Sequence, residues 1–285
     1  MEPRRVQLVC TVRGCGRELA PQGRSYACAA RHSFDLARSG YLNLLQVLDR
    51  RSRQPGDSAE VVAARRRWMK SGRAAPLVEA VREELAGLGL ARGTRVLDVG
   101  CGEGSLLGLL QAESGCEAWG VDISQPAIEA AARRWPDVHW VVCNADLGLP
   151  FAPQSFELVL SITARRNGPE FARVLAAGGR LLFALPADDD QVELREILHG
   201  DAHRVDRLPG LVEELAPRFR LLGSRTIRWS NTLDREGFDD LLAAAYRGAR
   251  DRERARLSQR ERLEVTSSYV LAGFAPLDPP DTPRA

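Results

Sequence analysis

Residues 95–104, R-V-L-D-V-G-C-G-E-G, constrain what this 285-residue chain can fold into more than any other stretch. Val96, Leu97 and Val99 form a short apolar run, glycines follow at alternate positions, and a leucine-rich helical pattern begins after Gly104. That order predicts a strand, a tight loop and a helix start. Glycine suits such a loop for two reasons. Without a Cβ it reaches backbone angles closed to other residues, and it lets a ligand lie against the main chain where a row of N–H groups points outward. The spacing G-x-G-x-G differs from the dinucleotide fingerprint G-x-G-x-x-G, and no G-K-[ST] follows, which excludes a nucleoside-triphosphate loop. A second apolar run, residues 118–121, ends in Asp122, 22 positions after Gly100. An acid at the tip of a second strand is placed to accept hydrogen bonds from both hydroxyls of a ribose.

The alternation continues with a helix over 125–134, strands over 138–142 and 156–162, a helix through Val174, the turn A-A-G-G and a strand over 180–185. Two more helices, a strand near 221–229, a helix over 234–246 and a last strand over 263–274 bring the count to seven strands. Interleaved helices and apolar strands predict a parallel sheet wound on both faces, with ligands at the carboxyl ends of the strands. Together these residues resemble the class I S-adenosylmethionine-dependent methyltransferases. The resemblance implies an α/β, Rossmann-like seven-stranded sheet with S-adenosyl-L-methionine as cofactor. It places Asp98, Gly100, Cys101, Gly102 and Gly104 under the methionine part, Asp122 and Ile123 at the ribose, and Asp146 at the adenine amine. Two plainer readings compete: a glycine-rich turn that holds no ligand, and an Asp146 that is only a turn residue.

Net charge is +2, but residues 1–75 hold 15 basic and 6 acidic side chains, a net of +9 against −7 for the remainder. All of those basic residues are arginine except Lys70, so one end of the molecule is a candidate surface for a polyanion. The first residues are charged and lack an apolar core, and no run approaches the roughly 18 apolar residues of a membrane span. A cytoplasmic protein without membrane contact is expected, its six cysteines reduced or metal-bound. Three of them, with a histidine, read C-x4-C-x12-C-x3-H: Cys10, Cys15, Cys28 and His32. That spacing suits a tetrahedral structural Zn2+ site, and Gly14 and Gly23 stand where two tight turns would form. So short a segment buries too little apolar surface to fold alone, and the metal would supply the missing free energy. Three buried thiols and an ordinary histidine are the alternative. The expected organisation is a zinc module over 1–36, a basic helical linker over 37–90, a methyltransferase domain over 91–275 and a disordered proline-rich tail over 276–285.

After the finger, His32, Phe34, Asp35, Ala37, Gly40, Tyr41, Asn43, Leu44 and Leu45 match H-x-F-D-x-A-x-x-G-Y-x-N-L-L, and P-G-D-S-A-E follows at 55–60. Here the chain resembles one family, the 23S ribosomal RNA guanine-N1 methyltransferases, which include enzymes giving resistance to macrolide antibiotics. The resemblance implies a 23S rRNA hairpin as substrate, clasped by a homodimer. Two departures stand out. The family's opening C-x2-C is C-x4-C here, and its G-H-Y-x-P-L reads G-R-A-A-P-L, with Arg73 and Ala74 replacing an imidazole and a phenol.

A helix over 58–71, capped by Asp57 or Ser58, carries Arg65, Arg66, Arg67, Lys70 and Arg73 on one side. That side is either a solvated face or a salt-sensitive grip on an RNA backbone, and the same two readings apply to Arg50, Arg51 and Arg53 and to Arg165 and Arg166 after the fourth strand. The fourth-strand loop lacks the Asn/Asp-Pro-Pro-aromatic run of exocyclic-amine methylation and the cysteine nucleophile of pyrimidine C5 methylation. Cys116 and Cys143 read as small buried hydrophobes. A ring nitrogen attacking the methyl in line is the expected reaction, and the sequence names no residue to take the proton from guanine N1. A small-molecule methyltransferase and an RNA-binding protein with a vestigial cofactor site remain the competing functions.

Overall fold

The structure, a computed structural model, describes residues 6–50, 52, 54–200, 202–245, 257 and 260–277. Three short strands, β1 (Ala20–Gln22), β2 (Ser25–Ala27) and β3 (Ser33–Asp35), form an antiparallel ribbon. Gly23 turns β1 into β2 at φ +64, a left-handed angle that only glycine reaches without strain. The ribbon is seated on the rest of the molecule through a bridge between Leu8 and Phe151 and the bond from Val9 N–H to the Pro150 carbonyl, 3.0 Å.

Strand β4 (Leu42–Asn43) leads to helices α1 (Ala59–Lys70) and α2 (Ala75–Gly87). Ser58 caps α1 by accepting the Val61 N–H at 3.4 Å, and Pro76 opens α2, where its missing N–H costs nothing. Strands β5 (Arg95–Val99), β6 (Glu117–Asp122), β7 (His139–Val142), β8 (Phe156–Ile162) and β9 (Leu175–Pro186) then alternate with α3 (Ser105–Ser114), α4 (Gln125–Arg134) and α5 (Gly168–Val174). Helices α6 (Val192–His199) and α7 (Leu208–Leu215), strand β10 (Phe219–Leu233), helix α8 (Arg235–Ala245) and strand β11 (Leu263–Pro276) follow among the described residues.

The large sheet has eight strands in the order β10-β11-β9-β8-β5-β6-β7-β4. All seven expected strands are in it, and the count of seven is corrected by β4, which pairs parallel with β7 at the edge. Two residues are too few to show a period, so this strand leaves no sequence signal. The sheet is also mixed, not wholly parallel: β11 runs antiparallel to β9 and to β10. The expected turn A-A-G-G is absorbed into β9, whose pairing with β8 jumps from Phe156↔Leu175 to Leu158↔Arg180 as Gly178 passes through φ +74.

An apolar layer covers each face of the sheet. One joins Phe151, Phe156, Phe171, Phe183 and Phe274 and runs on into the ribbon through Leu8, Cys10, Leu19 and Cys28. The other packs α2, α3 and α4 on β5, β6 and β7 through Leu85, Leu107, Leu110 and Ile128. Each such side chain contributes about 1.5–3 kcal/mol on burial. A third, smaller cluster lies between α6, α8 and β11, with Leu194, Leu198, Phe238 and Val265, and Trp68 of α1 packs against it. Cys116 and Cys143 are buried among apolar side chains, as expected. No helix among the described residues is long and apolar enough to cross a membrane.

Candidate functional site

Between β5 and α3 the chain turns through Gly100, Gly102 and Gly104 at φ +79, +56 and +77. Two of these positions also lack room for a Cβ: at Gly100 it would lie 2.4 Å from the Ala164 methyl, and at Gly104 2.4 Å from the Trp140 ring. The expected row of outward N–H groups is not what the loop presents. Gly100 and Cys101 both donate to the Val121 carbonyl at 2.8 and 3.1 Å, Gly102 donates to Asp122 Oδ2 at 2.9 Å, and Gly104 to the Cys101 carbonyl at 3.1 Å. Three of these amides hold the loop to β6 and the fourth closes it on itself, and Gly102 is left with open space where a side chain would be.

Beneath the loop lies Asp98, 3% exposed, whose Oδ1 has no hydrogen-bond partner among the described residues. Burial raises its pKa to about 7, and the charge of Asp122 adds to the effect. A buried carboxyl oxygen left unpaired costs on the order of 1–3 kcal/mol, which a cationic ligand group would recover. A methionine ammonium is such a group, so the residues present fit the expected cofactor.

Asp122 is held as strictly as the loop, its Oδ1 accepting the Ser124 N–H at 2.8 Å. Over it folds the 55–58 segment, whose place at the site no local spacing signals. A Cβ on Gly56, φ +80, would meet Ser124 and Ile123 at 2.8 and 2.9 Å, Ser124 Oγ donates to the Asp57 carbonyl at 2.6 Å, and the Asp57 carboxylate pairs with Arg65 at 3.1 Å. The strand-tip acid therefore has a lid anchored 67 residues earlier in the chain.

The loop forms one wall of a cavity of about 640 Å³. Asp98, Gly100, Cys101 and Gly102 line it, Gly104, Asp122 and Ile123 stand behind that wall, and Asp146 sits exposed outside it, 4.0 Å from Arg165. The opposite wall comes from α1 and α2 with Trp68 and Ala74, the ends of β8 and β9 with Thr163 and Ala187, and the segment Asp190, Gln191, Arg195 with Arg207 and Tyr269. Thr163 and Gln191 both take φ +53. Left-handed angles at non-glycine residues cost roughly 1–3 kcal/mol each and gather where function over-determines the backbone. Ala74 lines the cavity where the resembled family has a phenol, while Arg73 turns away to pair with Asp234 at 3.3 Å and lie over the Trp68 ring at 5.6 Å.

At the other end of the molecule, Cys10, Cys15, Cys28 and His32 bring their ligand atoms within 4.8 Å of one another. Cys15 Sγ and Cys28 Sγ are 3.8 Å apart, and His32 Nδ1 lies 3.4 and 3.5 Å from Cys10 Sγ and Cys28 Sγ. With zinc–sulfur bonds of about 2.3 Å and zinc–nitrogen bonds of about 2.0 Å, a tetrahedron has S···S edges near 3.8 Å and S···N edges near 3.5 Å. The donor set fits structural zinc in spacing as well as in chemistry, and C-x4-C closes it as well as C-x2-C would.

The expected RNA-contacting cations divide. Arg65, Arg73, Arg165 and Arg166 each have an acidic partner, Asp57, Asp234, Asp146 and Glu214. Arg66 and Lys70 border a shallow groove between α1 and α4, Arg50 is exposed, and Arg51 and Arg53 lie outside the described residues. The ribbon carries further cations that no motif singled out: Arg17, Arg24, Arg31 and Arg38 are exposed, and none pairs with a carboxylate among the described residues. The signal was in the sequence, since residues 6–40 hold five arginines and two acids.

A family model for a methyltransferase domain matches residues 96–182, and one described as "RlmA, N-terminal", a zinc ribbon, matches residues 10–53. The 23S rRNA (guanine(748)-N(1))-methyltransferase of Streptomyces fradiae is 33% identical over 233 residues, 80% of this chain and 81% of its own length. A relative from Micromonospora griseorubida, whose name provisionally assigns it to 23S rRNA guanine-N1 methylation, is 32% identical over 289 residues, covering 92% of this chain and 96% of its own. Among solved structures, the [4+2]-cyclase SpnF superposes with a TM-score of 0.49 at 18% identity over 71% of this chain and 81% of that one. The cofactor loop, the four-ligand ribbon and the coverage of both by these relatives lead to one assignment: the chain belongs to the 23S rRNA (guanine-N1)-methyltransferase family.

Proposed function

We propose that this protein transfers a methyl group from S-adenosyl-L-methionine to N1 of a guanine in 23S rRNA, in the cytoplasm where ribosomes assemble. The observation that carries the reading is the single cavity that joins Asp98 and the glycine loop to Trp68, Thr163, Asp190 and Tyr269. One end is shaped for a cation and the other has aromatic faces and polar groups suited to a nucleobase.

The bound cofactor supplies an electrophilic methyl on a sulfonium. Asp98 receives the ammonium of its methionine part, and Asp122, fixed by Gly102 and Ser124, keeps lone pairs for the ribose diol. Ile123 and Asp146, expected at the nucleoside, do not line this cavity and carry no contact in this reading. Thr163 and Ala164 close over the loop at the reacting end. Holding nucleophile and methyl in line is the chain's main contribution, on the order of 7–11 kcal/mol of barrier. Trp68 and Tyr269 offer faces for an extruded base. The ribbon, ordered by zinc, carries Arg17, Arg24, Arg31 and Arg38 to the phosphates of an rRNA hairpin, with Arg50, Arg66 and Lys70 extending the track and a second copy of the chain clasping the other side.

The test is nucleoside mass spectrometry of 23S rRNA before and after incubation with protein and S-adenosyl-L-methionine. One new 1-methylguanosine per transcript is expected. Cofactor binding by calorimetry without methyl transfer to rRNA would overturn the reading.

A further inference from the structure

The reaction requires a proton acceptor: guanine N1 carries a hydrogen in the neutral base, and its lone pair is free for the methyl only as that hydrogen leaves. Among the described residues, Asp98, Glu103 and Asp190 are the carboxylates lining the cavity. Asp98 belongs to the cofactor wall, at the end of β5 under the glycine loop. Glu103 lies within that loop, on the cofactor wall, its Oε1 accepting the Ser105 N–H at 3.3 Å. Asp190 lines the same cavity from just past β9, which β8 separates from β5 in the sheet order.

Asp190 is fixed in place. Its Oδ1 accepts the Ser268 N–H of β11 at 3.0 Å, and its own N–H donates to the Ala187 carbonyl at 3.3 Å. Gln191, next in sequence, is held at φ +53 by donating to the Thr266 carbonyl at 2.7 Å. Oδ2 has no donor among the described residues, although the side chain is only 8% exposed. The turn through Gln191 buries Asp189 and Asp190 alike, and of the two Asp190 is the one that lines the cavity. Beside it stand two guanidiniums tied to backbone carbonyls, not to acids: Arg195 to Asp188 at 2.7 Å and Arg207 to Pro186 at 3.3 Å. Arg195 Nε is buried with no partner among the described residues.

We infer that Asp190 is the residue that takes the proton from guanine N1, with Arg207 beside it to meet the nucleotide's phosphate. The inference rests on the proposed guanine-N1 reaction. As Asp190 Oδ2 accepts the N1 hydrogen, the N1 lone pair forms the bond to the methyl carbon, the carbon–sulfur bond breaks, and its electrons return to sulfur as the neutral thioether. Among the described residues, the charged groups around Asp190 are Arg195 of α6, Arg207 ahead of α7, and Asp189, itself paired with Arg228 of β10 at 3.0 Å; Arg65, Asp98 and Glu103 line the same cavity. Burial raises its pKa to about 6, opposed by the Ser268 bond and the two arginines. It is therefore ionised at neutral pH yet more basic than an exposed aspartate, which suits a general base.

The experiment compares wild type, Asp190→Asn and Asp190→Glu, using unmodified 23S rRNA as methyl acceptor between pH 6 and 10, with cofactor affinity measured by calorimetry in parallel. Asn keeps an oxygen for the Ser268 N–H. Its methyl transfer is expected to fall 10²- to 10⁴-fold at pH 7, the range for loss of a general base, with cofactor affinity within threefold. The remaining rate should rise about tenfold per pH step as guanine N1 ionises unaided, and Asp190→Glu should recover part of the rate at pH 7. An Asp190→Asn variant within threefold of wild type overturns the inference alone. So does a loss that is equal at every pH, or one accompanied by lost cofactor binding. If wild type transfers no methyl to rRNA, the functional reading fails and this inference fails with it.

Discussion

Strands β1, β2 and β3 bury no residue outright, whereas β5 buries four of its five. The ribbon and the sheet touch through one apolar layer, yet they are held by opposite means. The sheet has helices on both faces and a row of edge-to-face phenylalanines, so removing water from its side chains is enough. The ribbon has Cys10, Leu19 and Cys28 as its interior, and two of those three are metal ligands. Its order depends on the same atoms that bind zinc, and only its inner side leans on the sheet, at Leu8 and Phe151.

The largest expected effect separates these two mechanisms. A chelator, or Cys28→Ala, should unfold the ribbon, since structural zinc contributes on the order of 10 kcal/mol to such modules. Hydrogen exchange should lose protection over residues 8–36 while β5, β6 and β8 keep theirs. Methyl transfer to rRNA should fall at least 100-fold, with cofactor affinity within threefold. Loss of protection across the sheet as well would show that the shared apolar layer makes one cooperative unit of the two.

The converse variant is Gly104→Ala. It places a Cβ 2.4 Å from the Trp140 ring at φ +77, so backbone strain and overpacking add, at about 2–5 kcal/mol. Thermal unfolding of the sheet should drop accordingly, while zinc content, measured by metal analysis, stays at one per chain.

Asp98 then tests what the sheet gives up for its ligand. Its pKa is about 7 in the folded protein and near 3.9 unfolded, so the folded state holds a proton that the unfolded state releases. Without cofactor, this group's contribution is full below about pH 4 and is lost as pH rises toward 7, by up to roughly 4 kcal/mol. Asp190 and Asp122, also raised by burial, act in the same direction. Asp98→Asn should flatten part of that decline and be the more stable protein at pH 8, yet lose at least tenfold in cofactor affinity. Urea melts at pH 5 and 8 give the sign; a variant less stable than wild type at pH 8 contradicts it.

What could be read from the sequence divides along the same line. The glycine loop and the four-residue Cys/His cluster were legible because each is set by near neighbours: three glycines in five residues, or C-x3-H across one turn. The rest of the site comes from distant partners. Arg67 meets Asp240, 173 positions away, and Arg73 meets Asp234, 161 away, so a helix that reads as a free basic face is largely paired. Asp190 shares a cavity with the cofactor loop only because β8 and β9 stack beside β5, and the D-D-D run that holds it shows no period or spacing to single out one acid. Gly56 over Ile123 is similar: its motif was recognisable, its position on the strand tip was not.

The smallest effect applies the comparison to charge. Arg24 and Arg38 on the ribbon are exposed and, among the described residues, have no carboxylate partner, while Arg73 lies between Asp234 and Trp68. Each arginine that neutralises an RNA phosphate steepens the fall of log affinity with log salt by somewhat under one. Arg24→Ala with Arg38→Ala should therefore lower that slope by between one and two, and weaken rRNA binding severalfold at low salt without changing the melting temperature. Arg73→Ala should leave the slope unchanged and cost at most about 1 kcal/mol of stability, as a half-exposed ion pair does. Filter binding across a salt series gives both slopes. If Arg73→Ala lowers the slope and the ribbon pair does not, the RNA lies over α1, and the ribbon's free arginines serve some purpose other than phosphate contact.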